Sequence, residues 1–477
     1  MKYFLPVIIL LICSFTSGFA QMQDSASIGA DTMRKYIPEG LATHVTIQHI
    51  FIEGNNRTRR SIILREISIH EADVLPVDTL ALLLNETKLH LFNAILFYDV
   101  NLYLEKVSAT EINWHISVKE RWSILPQVTF QLADRNFNVW WTEHNHDIHR
   151  SNIGLILSDK NFRGNMEDFA ITMQVGYTQK FAINYMRPYI DHNQKHGIGF
   201  SFSVSQSQEI SYATDLNKLL FFHDDQKFIS QQLEGSFTYT YRPAYATTYL
   251  VQLTYKDYSI ADTIRKLNPN YYLDSNRNAK LIELNTRFTL NKVDNWNYPL
   301  KGLKMVDYFV ARMGIEGIKF QAFINTEIGY YSEPFPKWYV SSIFRGRFLL
   351  PESQPYAFLG GLGTKTDYVR GYEYYVADGA HYGVIRFDFK HEIFNHIFRN
   401  VPVWYLTVIP LRIYPKVFLD AGYIGNNTPG NSFLNNKWLL SEGIGLDIVT
   451  GYDIKIRLEY AFNHLGQNGL FLHMNSE

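Results

Sequence analysis

The chain has 477 residues, with Lys+Arg 45 against Asp+Glu 46 for a formal net charge of −1, and 15% of its residues are aromatic. That charge balance excludes a polyanion binder driven by bulk charge, so no nucleic-acid partner is expected, and 33 Phe with 32 Tyr exclude a disordered chain. The mean hydropathy of −0.17 is that of an ordinary soluble protein, so a membrane location has to be argued from pattern.

Residues 1–20 carry Lys2, an apolar run from Tyr3 to Cys13 and a small-residue end at Gly18-Phe19-Ala20, the layout of a signal peptide cleaved before Gln21. Cys13 is the only cysteine; Ile12 precedes it where a lipoprotein signal has a small residue. The mature chain is therefore expected to be exported and free of cysteine, with no disulfide and no thiolate metal cluster. No later segment approaches the roughly 20 apolar residues of a membrane-crossing helix. Residues 21–42 are polar and without period, an N-terminal linker.

Residues 43–120 read as a small α+β domain in the order β-α-α-β-β. Val45 to Glu53 predicts a strand and Gly54-Asn55-Asn56 a turn. Thr58 is placed to cap a short helix through Ile62, Ile63 and Leu64. A second helix is expected from near Pro76, carrying Leu80, Leu83, Leu84, Leu91 and Phe92. Two strands follow, Tyr98 to Lys106 and Glu111 to Lys119, the second alternating Ile112, Trp114, Ile116 and Val118 with polar residues.

From Arg121 the helical period gives way to strict alternation. Ile385, Phe387 and Phe389 alternate with Arg386, Asp388 and Lys390; Ile454, Ile456, Leu458, Tyr460 and Phe462 alternate with Lys455, Arg457, Glu459 and Ala461. Sixteen such runs span 122–132, 151–159, 167–178, 180–187, 196–208, 228–242, 246–259, 279–291, 303–313, 319–331, 337–350, 380–393, 414–424, 438–448, 452–461 and 469–475. An even number of strands of about 10 residues suits a bacterial outer-membrane barrel. Connections after odd strands total about 111 residues and those after even strands about 57, as long external loops and short periplasmic turns would give. A soluble β-sandwich alternates too, but its domains stop near about a hundred residues. The expected fold is thus mainly β: a 16-stranded transmembrane antiparallel β-barrel over 121–477, with a polar, wet lumen, preceded by one small α+β domain.

The longest connection, 351–379, lies between the eleventh and twelfth runs and holds Val369-Arg370-Gly371-Tyr372; two strands further comes Phe418-Leu419-Asp420-Ala421-Gly422. With the β-α-α-β-β prefix, these motifs resemble the BamA/TamA superfamily of outer-membrane barrels, whose periplasmic POTRA (polypeptide-transport-associated) domains precede the barrel. In that family a VRGY-type motif on the sixth external loop folds into the lumen, where its Arg meets FxDxG on the wall. The resemblance implies that Arg370 pairs with Asp420. Parity turns Phe418, Asp420 and Gly422 inward, and Asp388 on the twelfth strand, also inward, is a second candidate partner.

Other constellations carry less. Glu143 to His149 (EHNHDIH) is rich in metal-ligand types but reads as a solvated loop. Gly360 to Lys365 (GGLGTK) lacks phosphate-loop spacing and reads as a flexible approach to Val369. Trp140 and Trp141 are candidates for an interfacial anchor. No GxSxG or HExxH occurs.

By resemblance, the protein is expected to be no enzyme and to need neither nucleotide nor metal. It would insert β-barrel proteins into the outer membrane, or move polypeptides across it, by strand addition at the seam between its first and last strands and at the POTRA edge strand. The expected partners are outer-membrane lipids, unfolded barrel or secreted client polypeptides, and accessory assembly subunits. Alternatives are a dedicated secretion transporter and a passive channel or structural barrel. Two departures from the family stand out: a single POTRA-like unit, and the ending Asn475-Ser476-Glu477 in place of a terminal aromatic.

Overall fold

Strands that alternate apolar with polar residues give an antiparallel sheet one apolar face, which must be covered by a second layer or by lipid, and one polar face, which can meet water. The computed structural model describes residues 33–474, apart from 95, 134–136, 365–366, 400–407 and 451–454. The signal-peptide reading and most of the linker lie outside these residues. The chain divides into two compact units, the first mainly residues 33–124 together with the turn 159–167, the second the rest of the sheet-forming chain.

The first unit holds a four-stranded sheet. Its strands are β1 (His44–Glu53), β2 (Val74–Pro76), β3 (Phe97–Lys106) and β4 (Glu111–Glu120), in the order β2-β1-β4-β3, with β1 and β4 parallel. Helices α1 (Arg60–Arg65) and α2 (Leu80–Asn93) supply Ile62, Ile63, Leu80, Leu84 and Leu91 to a core shared with Ile47, Ile112, Trp114 and Ile116. Two details differ from the sequence reading. Thr58 does not cap α1: its N–H donates to Glu120 Oε1 at 2.6 Å, and Arg59 occupies the cap position. Pro76 ends the short strand β2, which pairs with β1, and a 3₁₀ turn at Val77–Thr79 follows it directly and leads into α2 at Leu80.

The second unit is an antiparallel barrel sheet of sixteen strands in chain order, in which the twelfth is interrupted once. They are Ile124–Leu132, Ser151–Phe162, Glu167–Gly176, Thr178–Arg187, His196–Ser207, Ser230–Ala244, Thr247–Ile260, Asn278–Val293, Gly302–Glu316, Phe320–Phe335, Trp338–Leu350, His381–His391, Val408–Gly425, Trp438–Thr450, Lys455–Asn463 and Asn468–Met474. Each overlaps one alternating run of the sequence. The strand order makes the first and last strands neighbours. Among the described residues no helix is long and apolar enough to cross a membrane.

Burial separates the two faces. Val417 and Leu419 are 51% and 56% exposed, whereas Phe418 and Asp420, which alternate with them, are 4% and 1% exposed. The twelfth strand resumes at Phe394–Arg399 and the thirteenth begins at Val408, so both extend into the interval between the sequence runs 380–393 and 414–424. The long-loop end also carries structure that alternation did not reveal: a hairpin of Glu209–Asp215 with Lys218–His223, and a helix at Phe137–Thr142.

If the outer face meets hydrocarbon, Leu419→Arg should lower folding stability by about 2–4 kcal/mol, the penalty of a cation near the bilayer midplane. Denaturant titration in lipid vesicles measures it, with the solvent-exposed Lys160→Arg as the control that should not shift.

Candidate functional site

The site is built by one loop and four strands. Residues 351–379 leave the eleventh strand and fold back, and Gly361 and Leu362 pair with Asp378 and Ala377 to form a stem. The glycine-rich approach to Val369 is therefore ordered and buried at Gly361 and Leu362, against the expectation of a flexible segment; Lys365 lies outside the described residues. At the tip, the Tyr372 N–H donates to Val369 O at 3.1 Å, closing a tight turn. Gly371 supplies its φ of +83°, which side-chain-bearing residues rarely adopt. The turn is pinned from the wall: Asn463 Nδ2 donates to Gly371 O at 2.7 Å, and the Tyr372 hydroxyl donates to Leu440 O at 3.1 Å.

Arg370 is 3% exposed. Its Nε donates to Asp420 Oδ2 at 2.9 Å, and Nη2 reaches the other carboxylate oxygen, a bidentate fork. Its backbone N–H donates to the same Oδ2 at 3.1 Å. Nη1 donates to Asp388 Oδ1 at 2.7 Å and to Glu459 Oε1 at 3.2 Å. The guanidinium carbon lies 4.0 Å from the centroid of the Phe418 ring. Gly422 completes the wall motif by leaving room for Val369, since a Cβ there would come within 2.4 Å of Val369 Cγ2. Both sequence-derived carboxylates thus meet Arg370 at once.

Glu459, a third carboxylate, escaped the sequence reading although its parity on the fifteenth strand points it inward. It also accepts from Lys416 Nζ at 2.6 Å, and Lys416 pairs with Asp447 at 2.7 Å. Lys390 lies 3.6 Å from both Asp388 and Asp447, and Arg386 donates to Tyr368 O at 2.6 Å. Arg370, Arg386, Lys390 and Lys416 are matched by Asp388, Asp420, Asp447 and Glu459 in one balanced network. The loop also reaches the sixteenth strand, where His473 Nε2 is 3.4 Å from Glu373 and 3.5 Å from Glu459. Burial pushes the Glu373 carboxyl above its ordinary range, against the pull of His473.

A second segment enters from the opposite end. The connection 294–301, between the eighth and ninth strands, is folded by Asp294, which accepts from the N–H groups of Leu300 and Lys301 at 2.9 and 3.1 Å. It projects Tyr298 inward, where the hydroxyl donates to Asp447 Oδ2 at 2.7 Å and the ring packs with Tyr414, Tyr339, Leu300 and Val449. Lys455 Nζ holds Asn297 O at 2.9 Å. Burial beside Asp447 pushes the Tyr298 hydroxyl well above its ordinary pKa, keeping it a neutral donor. The interior expected to be wet is, in the sector from the tenth to the fifteenth strand, filled by protein around a residual polar cavity lined by residues such as Arg345, Asp447 and Arg457.

The remaining candidates are used locally. Trp140 Nε1 donates to Asp147 O at 2.8 Å, and Trp141 stacks on His146 at 4.8 Å. Glu143 pairs with Lys218 at 2.6 Å, and no cluster of three or more metal-ligating side chains occurs among the described residues.

No protein-family model matches the chain, and no curated protein sequence matches it. Solved structures do. BamA from Haemophilus ducreyi lacking POTRA domains 1–3 aligns over 90% of this chain and 84% of its own, at 13% identity and a TM-score of 0.52. CdiB from Escherichia coli aligns over 94% and 83%, at 10% identity and 0.54, and CdiB from Acinetobacter baumannii over 91% and 73%, at 11% and 0.50. The chain has the fold of BamA and CdiB. The likeness is one of fold, an antiparallel β-barrel sheet reached with little sequence in common.

Asp420→Ala should cost about 3–5 kcal/mol, because it leaves part of a buried ion network uncompensated. The readout is the temperature at which the folded barrel loses its faster gel migration, and Arg370→Lys, which cannot form the fork, should fall well below wild type. Tyr298→Phe removes one bond to a carboxylate and should cost about 1.5–3 kcal/mol by denaturant titration, with the gel-shift temperature falling less than for Asp420→Ala.

Proposed function

We propose that this chain is a non-enzymatic assembly factor that inserts β-barrel proteins into the outer membrane by strand templating. The clients are unfolded barrel polypeptides, and the site of addition is the seam between the first and last barrel strands. The long loops then face the exterior, and the short turns and the first unit face the periplasm, the first unit serving as a POTRA domain. Its edge strand β3 would offer main-chain hydrogen bonds to an extended client, a mode of recognition that demands little of the client's sequence.

One observation carries this reading: the loop bearing Arg370 and the turn bearing Tyr298 meet inside the barrel in one ionic network. A chain threading that sector would have to break several buried, charge-assisted contacts, each worth about 1.5–3 kcal/mol. Addition at a strand edge breaks none of them. The same packing speaks against a passive channel there.

Depletion of the protein followed by quantitative proteomics of the outer membrane tests the proposal. Broad loss of barrel proteins is expected. Loss of one secreted polypeptide with barrels unchanged would replace it with dedicated transport, and no change in either would leave a structural barrel.

A further inference from the structure

The first long connection returns to the other end of the barrel sheet. Its helix Phe137–Thr142 sets Asn138 against the sixteenth strand, where Asn138 Nδ2 donates to Leu470 O at 2.5 Å and Asn138 Oδ1 accepts from the Leu472 N–H at 3.3 Å. Residues two apart on a strand direct their main-chain groups to the same side, so both bonds fall on one edge of that strand. Leu470 and Leu472 are in register with Tyr460 and Leu458 of the fifteenth strand. With those two groups engaged by Asn138, they belong to the edge turned away from the fifteenth strand.

A primary amide offers a donor and an acceptor side by side, as a peptide group does. Asn138 therefore fills, with a side chain, positions that the main chain of an added strand would fill. The contact is supported from behind. Trp140 Nε1 holds Asp147 O, Glu143 pairs with Lys218 of the hairpin, and the Thr142 hydroxyl donates to Asn138 O at 2.7 Å. A single side chain on a short loop helix is easily displaced, whereas a full strand is not, because its bonds form and break together.

We propose that Asn138 is a latch on the outer end of the sixteenth strand's edge, which an incoming extended client strand displaces. This rests on the insertion reading above and adds its regulation: the edge is held occupied until a polypeptide able to replace both bonds arrives. Asn138 bonds neither Arg370 nor its carboxylates; among the described residues its one contact with the long loop is from Nδ2 to the Tyr374 hydroxyl at 3.5 Å, so removing it leaves the ion pairs of the lock in place.

Hydrogen exchange of the full-length barrel in phosphatidylethanolamine/phosphatidylglycerol vesicles reads the latch directly. Asn138→Ala should speed exchange at the Leu472 amide about tenfold or more, with amides of the fifteenth strand unchanged. Asn138→Asp keeps the acceptor and loses the donor, so Leu472 should stay protected; equal deprotection in both variants would mark a general loosening of the loop and overturn the latch. Unchanged exchange in Asn138→Ala would overturn it as well. In the same vesicles, a urea-unfolded eight-stranded outer-membrane barrel should insert severalfold faster with Asn138→Ala than with wild type, and equal rates alongside altered exchange would overturn the regulatory role. If wild type itself does not accelerate insertion over empty vesicles, the insertion reading falls, and the latch is judged by exchange at Leu472 alone.

Discussion

A guanidinium ion buried to 3% exposure dictates much of what surrounds it. Removing such an ion from water is costly unless its donors are met by anions in good geometry. Arg370 arrives on a loop, so its anions must come from the wall, and three strands supply them: Asp388 from the twelfth, Asp420 from the thirteenth and Glu459 from the fifteenth. Each must point inward at the same depth. A slip of one residue in any of these strands would turn its carboxylate outward and an apolar residue into the network, so the lock and the strand register enforce one another.

The lock also accounts for the chain's composition. A barrel presents apolar residues outward only at every second position, and this one fills part of its interior with charges that cancel in pairs. Near-neutral net charge and slightly negative mean hydropathy follow from that arrangement. The four carboxylates and four cations of the network, Arg370 among them, cannot be exchanged singly. Lys416, for example, serves Asp447 and Glu459 together, and Asp447 in turn accepts from Tyr298. Loop and turn, approaching from opposite ends, are thus coupled through a few shared groups.

Where the interior is committed, the main-chain edges become the chemically available surface. Exposed strand edges invite pairing, and proteins usually cover or blunt them. Two strand edges of this chain are treated differently. Strand β3 of the first unit ends its sheet as a ten-residue strand, while the outer end of the sixteenth strand carries the amide of Asn138. A side-chain cover suits an edge that must be protected and yet remain replaceable by a strand.

Alternation in the sequence was sufficient to place sixteen strands, to assign their faces and to set Arg370 in the sixth long loop, because the period of two is a local property that burial on one side enforces. It also turned Asp388 and Asp420 inward, which is why both were legible as partners. The sequence left Thr58, the pairing of Gly361 and Leu362 and the filling of the interior misread, since each depends on what packs against it. Glu459 meets Arg370 across 89 positions, Tyr298 meets Asp447 across 149 and Asn138 meets Leu470 across 332. No local pattern encodes those partnerships. They were decided by the tertiary structure, because only the curvature of the sheet and the inward folding of loops bring such distant groups within hydrogen-bonding reach.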